Sequence, residues 1–304
     1  MTFNFSPSKL SGHKFASKAL HVLLSIARIA FLLIVGNIVL YPMLYMISYS
    51  LKDLDALLDV QHMWFPIKAS FQNYIEMFEL MNFGSALWQT FKVQILSAFI
   101  EVFVCAFIAY GFARFNFKGK KIATLLLILS LLIPIQMYSL PMSVNFRNLG
   151  IFNTPFVYWL PSVFGVGIRS GMMIFIYQQF FIGLPKELEE AAFIDGAGPL
   201  KTYFRIALPS SGVVILTVSV LSFVWHWNEH YLAALCFSTD DAPLAMVMNF
   251  LSVYLQQIGI WEHHPQFTTA VSAACILFIA IPLVLYMIFQ RNFVRSIDRI
   301  GITG

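Results

Sequence analysis

The sequence predicts an all-α protein that crosses a membrane six times, and three observations lead to this fold class. Of its 304 residues, 59% are hydrophobic and only 11% are charged, whereas about 25% of the residues of a soluble domain are charged. The mean hydropathy of the chain is +0.76. The apolar residues form six stretches, each long enough for a helix to cross the hydrocarbon of a bilayer. These observations exclude a globular protein with one large core.

The six predicted spans are joined by polar connections. A polar tail over residues 1–18 precedes the first span, which is too long for the apolar core of a signal peptide and has no small-residue cleavage site. A polar segment over residues 50–85 separates the first span from the second, and Pro134 and Pro141 interrupt the third. The predicted spans are residues 20–47, 87–112, 122–140, 155–182, 212–235 and 268–289.

The loop charges predict the orientation of the chain. If the N-terminus is cytoplasmic, the inner segments hold nearly all of the lysines and arginines, and the outer loops keep Lys52, Lys68 and Arg147. This positive-inside bias predicts that both termini are cytoplasmic. The basic residues are scattered over short loops, so the net charge of +4 does not indicate a nucleic-acid partner. Three cysteines without metal-ligand spacing are typical of buried thiols rather than a disulfide framework.

A charged segment at residues 185–209 separates the fourth and fifth spans. Pro185 suits the start of a helix, and three glutamates follow in its first turns, where they favour the helix dipole. Gly196 and Gly198 end this helix, and Pro199 opens a second one. We expect a short helical hairpin on the cytoplasmic face that docks against a partner. An ordinary amphipathic connector is the alternative interpretation.

This segment resembles the EAA loop of the membrane subunits of bacterial ABC importers. Glu190, Ala191 and Ala192 are followed after three residues by Gly196, and after nine more by Ile206-x-Leu208-Pro209. In that family the loop is a coupling helix that sits in a groove of the cytoplasmic ATPase subunit. The alanines allow close approach of a partner, Glu190 offers a charge, and Gly196 permits a sharp turn. The resemblance implies coupling residues Glu187, Glu190, Ala191, Ala192, Asp195, Gly196, Ile206, Leu208 and Pro209.

The resemblance also implies an assembly in a bacterial inner membrane. Such importers have the type I permease fold and pair two homologous permeases, here as a heterodimer, over two ATPase subunits that bind ATP and Mg. An extracytoplasmic solute-binding protein delivers the solute. The chain itself lacks a G-x-x-x-x-G-K-[ST] motif, so we expect no cofactor on it and no enzyme activity. Residues 84–304 are the expected permease domain, preceded by residues 1–83 with the tail, first span and external loop.

Weaker motifs are similar to sugar-importer permeases and imply a sugar or oligosaccharide as solute. They are the stretch at residues 64–78, the outer loop at residues 133–154, and Trp227-Asn228 in the fifth span. Aromatic rings stack on sugar rings, although these residues could equally form an interfacial aromatic belt. The chain departs from the family at Thr303, where lysine is common, and at Gln178-Gln179, where the family often has an arginine.

Glu101, Arg169 and Glu229 lie well inside the predicted spans, where ionisable groups are costly and usually functional. They either line a translocation path, or Arg169 pairs with one of the two glutamates to hold the bundle together. Gly167 and Gly171, with Gly165, either allow close helix packing or loosen a helix that must move. The candidate path residues are Glu101, Gln136, Tyr138, Arg169, Trp225, Trp227, Asn228 and Glu229.

Two other functional classes provide alternatives. The intramembrane charges would suit a secondary transporter or channel driven by an ion gradient, but that class leaves the coupling segment unexplained. His226, Glu229 and His230 form an H-x-x-E-H pattern, which on one helical face could bind zinc. No third ligand is fixed by the sequence, so we expect no metal site.

Overall fold

The structure, a computed structural model, describes residues 8–58, 64, 66 and 68–301, and the side chains of residues 21–57, 64, 66 and 68–290. Within these ranges the chain forms helices and no strand. The helices are α1 Ser8–Ser50, α2 Leu54–Leu58, α3 Gln72–Leu80, α4 Phe83–Arg114, α5 Lys120–Ser130, α6 Ile135–Asn148, α7 Phe156–Val163, α8 Ser170–Gly183, α9 Glu187–Ile194, α10 Pro199–Ser210, α11 Gly212–Trp227, α12 Tyr231–Cys236, α13 Leu244–Asn249, α14 Leu251–Gln257 and α15 Pro265–Gly301.

Three described helices are long and apolar enough to cross a membrane, namely α1, α4 and the apolar part of α15. Two further pairs of helices are each bent at a short break, α5 with α6 by 103° and α10 with α11 by 77°. If each bent pair counts as one span, the described residues contain five spans. Pro134 lies extended between α5 and α6 as the N-cap of α6, and it disfavours a helical conformation for the preceding Ile133. The fourth predicted span is divided into α7 and α8.

Glycine ends α7 and thereby divides the fourth predicted span. Gly165 has a φ of +67°, and its N–H donates to the carbonyl of Ser162 at 3.1 Å, while the N–H of Val166 donates to that of Pro161 at 2.9 Å. This pair of hydrogen bonds is a Schellman cap, which needs a left-handed residue where glycine carries no steric penalty. The chain then passes through residues 164–169 without helix before α8 begins.

Helix α4 is the central element, because α7, α8 and α11 all pack against it. At its first end, the Gln89 amide donates to Asp241 at 2.9 Å, and the N–H of Leu244 donates to the hydroxyl of Thr90 at 2.8 Å. At its other end, Arg114 contacts the segment that contains α9. Helix α4 therefore separates the loop containing Asp241 from the coupling segment by its full length.

Two apolar cores pack along α4. One is centred on Trp227, with α4, α7 and α15 around it. The other lies toward α9 and includes Tyr177, Phe181 and Tyr203. Helix α1 packs against α15, and its most apolar window has no buried residue.

Several predictions lie outside the described residues. They concern the first residues of the N-terminal tail, Phe65 in the external-loop pattern, and Thr303 near the C-terminus. The polar tail is helical from Ser8 onward, and α15 continues to Gly301. The proposed domain boundary at residue 84 stays a prediction.

Candidate coupling surface and translocation path

The coupling segment folds as the predicted helical hairpin. Helix α9 ends in a second Schellman cap, in which Gly196 has a φ of +76° and its N–H donates to Phe193 at 3.1 Å. The N–H of Ala197 completes the cap by donating to the carbonyl of Ala192 at 2.9 Å. A Cβ on Gly196 would meet nothing within 4 Å, so backbone conformation rather than space requires glycine here.

The coupling segment presents an exposed surface. Of the residues expected to couple, the side chains of Ala192, Ile206 and Leu208 are half-buried, and the remaining six are exposed: Glu187, Glu190, Ala191, Asp195, Gly196 and Pro209. Large apolar side chains lie beside them, and Ile194 is 86% exposed. We call Leu188, Phe193, Ile194, Leu200 and Phe204 the apolar coupling face. Exposed apolar side chains close in sequence to exposed carboxylates, in a segment outside the predicted spans, are typical of a protein-binding surface.

A buried ion pair attaches the coupling segment to α4. The Nε atom of Arg114 donates to Oε1 of Glu189 at 2.8 Å, and its guanidinium also donates to the carbonyl of Leu184 at 2.7 Å. The hydroxyl of Tyr110 donates to the other oxygen of Glu189 at 3.4 Å. Tyr203 then packs its ring on that of Tyr110, with centroids 5.1 Å apart. These contacts connect both helices of the hairpin to the end of α4.

The predicted path residue Glu101 is fully buried between α4, α8 and α11. It lies 3.1 Å from Nε2 of His226 and accepts a hydrogen bond from the hydroxyl of Ser170. The Nδ1 of His226 lies 2.9 Å from the carbonyl of Ser222, so Nδ1 carries a proton and donates to it. Gly167 lies directly against this site, because a Cβ on it would be 2.9 Å from Oε2 of Glu101.

The predicted path residue Glu229 is also buried, just beyond the end of α11. Its carboxylate accepts from the hydroxyl of Tyr158 and from the N–H of Leu232, the latter at 2.9 Å. Its carbonyl accepts from the amide of Gln94 at 2.6 Å. Glu229 therefore ties together α4, α7 and the start of α12.

Arg169 is the third intramembrane charge, and its position corrects one expectation. Within the described part of the chain it forms no ion pair with Glu101 or Glu229. Its side chain is exposed, and its guanidinium lies over the ring of Trp225, 5.4 Å from the centroid. Its backbone has a φ of +56°, directly before α8.

The other path candidates differ in their exposure. Gln136 and Asn228 are exposed, and Tyr138 and Trp225 are half-buried. Trp227 is only 1% exposed and packs against Phe223 and Phe278, with ring centroids 5.7 and 5.5 Å apart. In this conformation Trp227 is a core residue and presents no face on which a sugar could stack.

The zinc alternative is not compatible with this geometry. Helix α11 ends at Trp227, so His226 and His230 do not share a helical face. No group of three histidine, cysteine, aspartate or glutamate side chains in the described ranges could hold a metal ion.

The glycines of the fourth span favour close packing. A Cβ on Gly171 would lie 2.5 Å from the hydroxyl of Ser130 on α5, and one on Gly167 would lie 2.8 Å from that of Ser162. The two glycines do not share a helix, because Gly167 precedes α8 and Gly171 lies inside it.

Comparison with known proteins decides the family. Residues 101–299 match the family of binding-protein-dependent transport system inner membrane components. The chain belongs to this family. It is therefore a membrane-embedded permease subunit of an ABC importer and not an enzyme, and it works with a partner permease, an ATPase and a binding protein.

Individual relatives match over most of the permease. It is 29% identical over 266 residues to the probable ABC transporter permease protein YurM of Bacillus subtilis, covering 87% of this chain and 84% of that one. It is 29% identical over 278 residues to the trehalose transport system permease protein SugB of Mycobacterium tuberculosis, covering 90% and 95%. The diacetylchitobiose uptake system permease protein NgcG of Streptomyces coelicolor is 26% identical over 271 residues, covering 89% and 86%.

A solved structure confirms the fold. A chain of a bacterial ABC transporter involved in the import of the acidic polysaccharide alginate superposes with a TM-score of 0.71. The match covers 96% of the permease and 99% of that chain at 20% identity. The predicted all-α ABC importer permease fold is thus confirmed, with the fourth span divided as described.

The sequence reasoning missed the partners of the predicted site residues. In the sequence, Arg114 only follows the second predicted span, Glu189 is one of three glutamates in the first turns of a helix, and His226 is only a possible metal ligand. One feature of the sequence could have indicated the pair. Arg114 lies at the end of an apolar helix, where an acidic partner lowers the free-energy cost of burying its charge. The pairing itself depends on tertiary structure.

Proposed function

We propose that the permease forms half of a pathway that imports a carbohydrate, which a binding protein delivers from outside the cell. The observation that carries this proposal is the exposed apolar coupling face around Gly196, within a segment that matches the EAA loop. The names of two relatives and of the similar solved structure support a carbohydrate, since they refer to trehalose, diacetylchitobiose and the acidic polysaccharide alginate.

In the proposed assembly, a second homologous permease completes the pathway as a heterodimer, and two ATPase subunits bind ATP and Mg. Helix α9 sits in a groove on one ATPase, with Glu190 and Asp195 at the rim of the contact and Ile194 at its centre. The ion pair of Arg114 and Glu189 carries the displacement of α9 to α4. Both termini are cytoplasmic, on the side of the coupling segment, where the basic loops lie.

Co-purification from the native membrane tests this proposal. The ATPase and a second permease are expected to co-purify with the unmodified chain. Glu190→Arg is expected to weaken ATPase recovery by reversing a surface charge. Gly196→Pro is expected to abolish it, because proline cannot adopt a φ of +76° and lacks the N–H that caps α9.

Glu79→Arg is the matched control, since Glu79 is an exposed glutamate on α3, far along the chain from the coupling segment. Equal ATPase recovery with all three variants would contradict the proposed docking surface. Uptake of solute that continues without ATP would contradict the import mechanism.

A further inference from the structure

We propose that Arg169 binds an oxyanion substituent of the transported solute, so that the pathway selects an acidic carbohydrate. The proposal rests on the proposed function, because it names the substrate class of that import pathway. The substituent is a carboxylate, sulfonate or phosphate carried by a sugar, all of which a guanidinium binds through paired N–H donors.

The first step of the argument is the location of Arg169 within the membrane. Helix α8 begins at the next residue and has 14 residues, so Arg169 lies about 21 Å along the helix axis from Gly183 at its cytoplasmic end. The bilayer hydrocarbon is about 30 Å thick. Arg169 is thus well inside the bilayer, where a charged side chain faces a water-filled cavity or a partner rather than lipid.

The second step is that neither nearby carboxylate pairs with Arg169 in the described part of the chain. Glu101 contacts His226 and Ser170, and Glu229 accepts from Tyr158 and the N–H of Leu232. The guanidinium keeps its hydrogen-bond donors, and its side chain is exposed in the isolated subunit.

The third step is that the surroundings orient this cation. The ring of Trp225 supports the guanidinium at 5.4 Å, an arrangement that holds the group while leaving its edges free to donate. The backbone of Arg169 occupies the left-handed region, which is unfavourable for a non-glycine residue. A glycine would avoid that cost, so a function of the side chain accounts for arginine at this position.

The fourth step concerns the chemistry of the other predicted path residues. Gln136 and Asn228 are exposed amides, and Tyr138 and Trp225 are half-buried aromatic residues. Amides bind sugar hydroxyls, and aromatic rings stack on sugar faces. The Arg169 guanidinium adds a positive charge, which the binding of a neutral sugar does not require. A carbohydrate with an acidic group uses all three kinds of contact.

The test uses the complete transporter with its binding protein in proteoliposomes. The probes are an oligogalacturonide and its carboxyl-reduced neutral analogue, with a sulfonated glycoside, a sugar phosphate and a neutral disaccharide in parallel. We expect ATP-driven uptake of at least one acidic probe and slower uptake of its neutral analogue. Arg169→Gln is expected to lower acidic uptake at saturating binding protein about 10-fold to 100-fold, as loss of a charged hydrogen bond predicts.

Two further variants separate binding from structure. Arg169→Lys keeps the charge and is expected to restore part of the acidic uptake. Arg147→Gln is the matched control, because Arg147 also lies over an aromatic ring, 4.6 Å from the centroid of Phe152, but in the outer region. Its uptake of the acidic probe is expected to equal that of the unmodified transporter.

Three outcomes would overturn the inference. Equal ATP-driven uptake of acidic and reduced probes, or uptake of neutral saccharides alone, would refute the acidic substrate while leaving carbohydrate import intact. Loss of assembly in both Arg169 variants would show instead that Arg169 pairs with a carboxylate of the second permease. Absence of ATP-driven uptake for every saccharide would refute the proposed function itself.

Discussion

The Nε atom of Arg114 lies 2.8 Å from Oε1 of Glu189, and both side chains are less than 10% exposed. Arg114 is the last residue of the central helix α4, and Glu189 lies in the first turn of the coupling helix α9. The pair therefore joins the helix that contacts most of the bundle to the helix expected to meet the ATPase.

Removing this ion pair is expected to uncouple ATP hydrolysis from import. Arg114→Ala leaves Glu189 with a buried and unpaired charge, and hydrogen bonds to charged groups contribute about 1.5–3 kcal/mol. We expect import to fall about 10-fold or more, while the ATPase subunits still bind and hydrolyse ATP. Uptake and phosphate release should be measured on the same proteoliposomes.

The controls for this prediction are an exposed arginine and a charge exchange. Arg205→Ala removes an exposed cation from the same segment and should leave import near its normal rate. The double variant Arg114→Glu with Glu189→Arg should recover part of the import lost in either single variant. Import that is unaffected by Arg114→Ala would refute the role of the pair.

Trp227 is expected to act as a core residue. Trp227→Ala removes a ring that is 1% exposed and contacts three aromatic rings, so it should destabilise the subunit by about 3–5 kcal/mol. Val224→Ala, one turn earlier at a 44% exposed position, should have little effect. Thermal unfolding in detergent measures both. If Trp227→Ala instead keeps stability and loses only sugar transport, the ring contacts solute in another state.

Close packing of α8 on α5 should make Gly171 intolerant of a side chain. A Cβ there would lie 2.5 Å from the hydroxyl of Ser130, and overpacking typically costs about 1–3 kcal/mol. Gly183→Ala, at the other end of α8, would meet nothing within 4 Å and should be tolerated. Thermal stability of the two variants provides the comparison, and equal stability would argue that α8 can move away from α5.

Cysteine labelling should reveal the orientation of the permease. A cysteine replacing Ile194, which is 86% exposed in the isolated subunit, should react with an impermeant maleimide only in opened membranes, prepared from cells that lack the ATPase. A cysteine replacing Trp261, at a 51% exposed position, should react in intact cells. The reverse pattern would invert the proposed topology.

The native Cys236 should not interfere with this assay. Burial and, to a smaller extent, the nearby Glu229 carboxylate together raise the pKa of its thiol to about 12, although Arg147 acts in the opposite direction. The reactive thiolate is therefore scarce at neutral pH, because thiolate is lost as pH falls below the pKa. Labelling of Cys236 at pH 7 would show that this region opens.

The structural features that depend on a local sequence pattern could be predicted from the sequence. Apolar length gave the spans, and the Gly196 turn was predicted from its neighbours, since a left-handed cap is a local requirement. The division of the fourth span was missed, because the apolar run continues through Gly165 and hydropathy does not register a helix cap. The partners of Glu101, Glu189 and Glu229 come from other helices, so neither the sequence pattern nor charge counting could assign them.

The exposed Ile194 at the end of the coupling helix also bears on how the cell maintains this protein. A permease synthesised without its ATPase would display the apolar coupling face to the cytoplasm, where chaperones and proteases recognise such surfaces. Assembly covers that face and protects the chain. We therefore expect the amount of permease in the membrane to follow the supply of its ATPase, so that the subunits reach matched numbers without matched rates of synthesis.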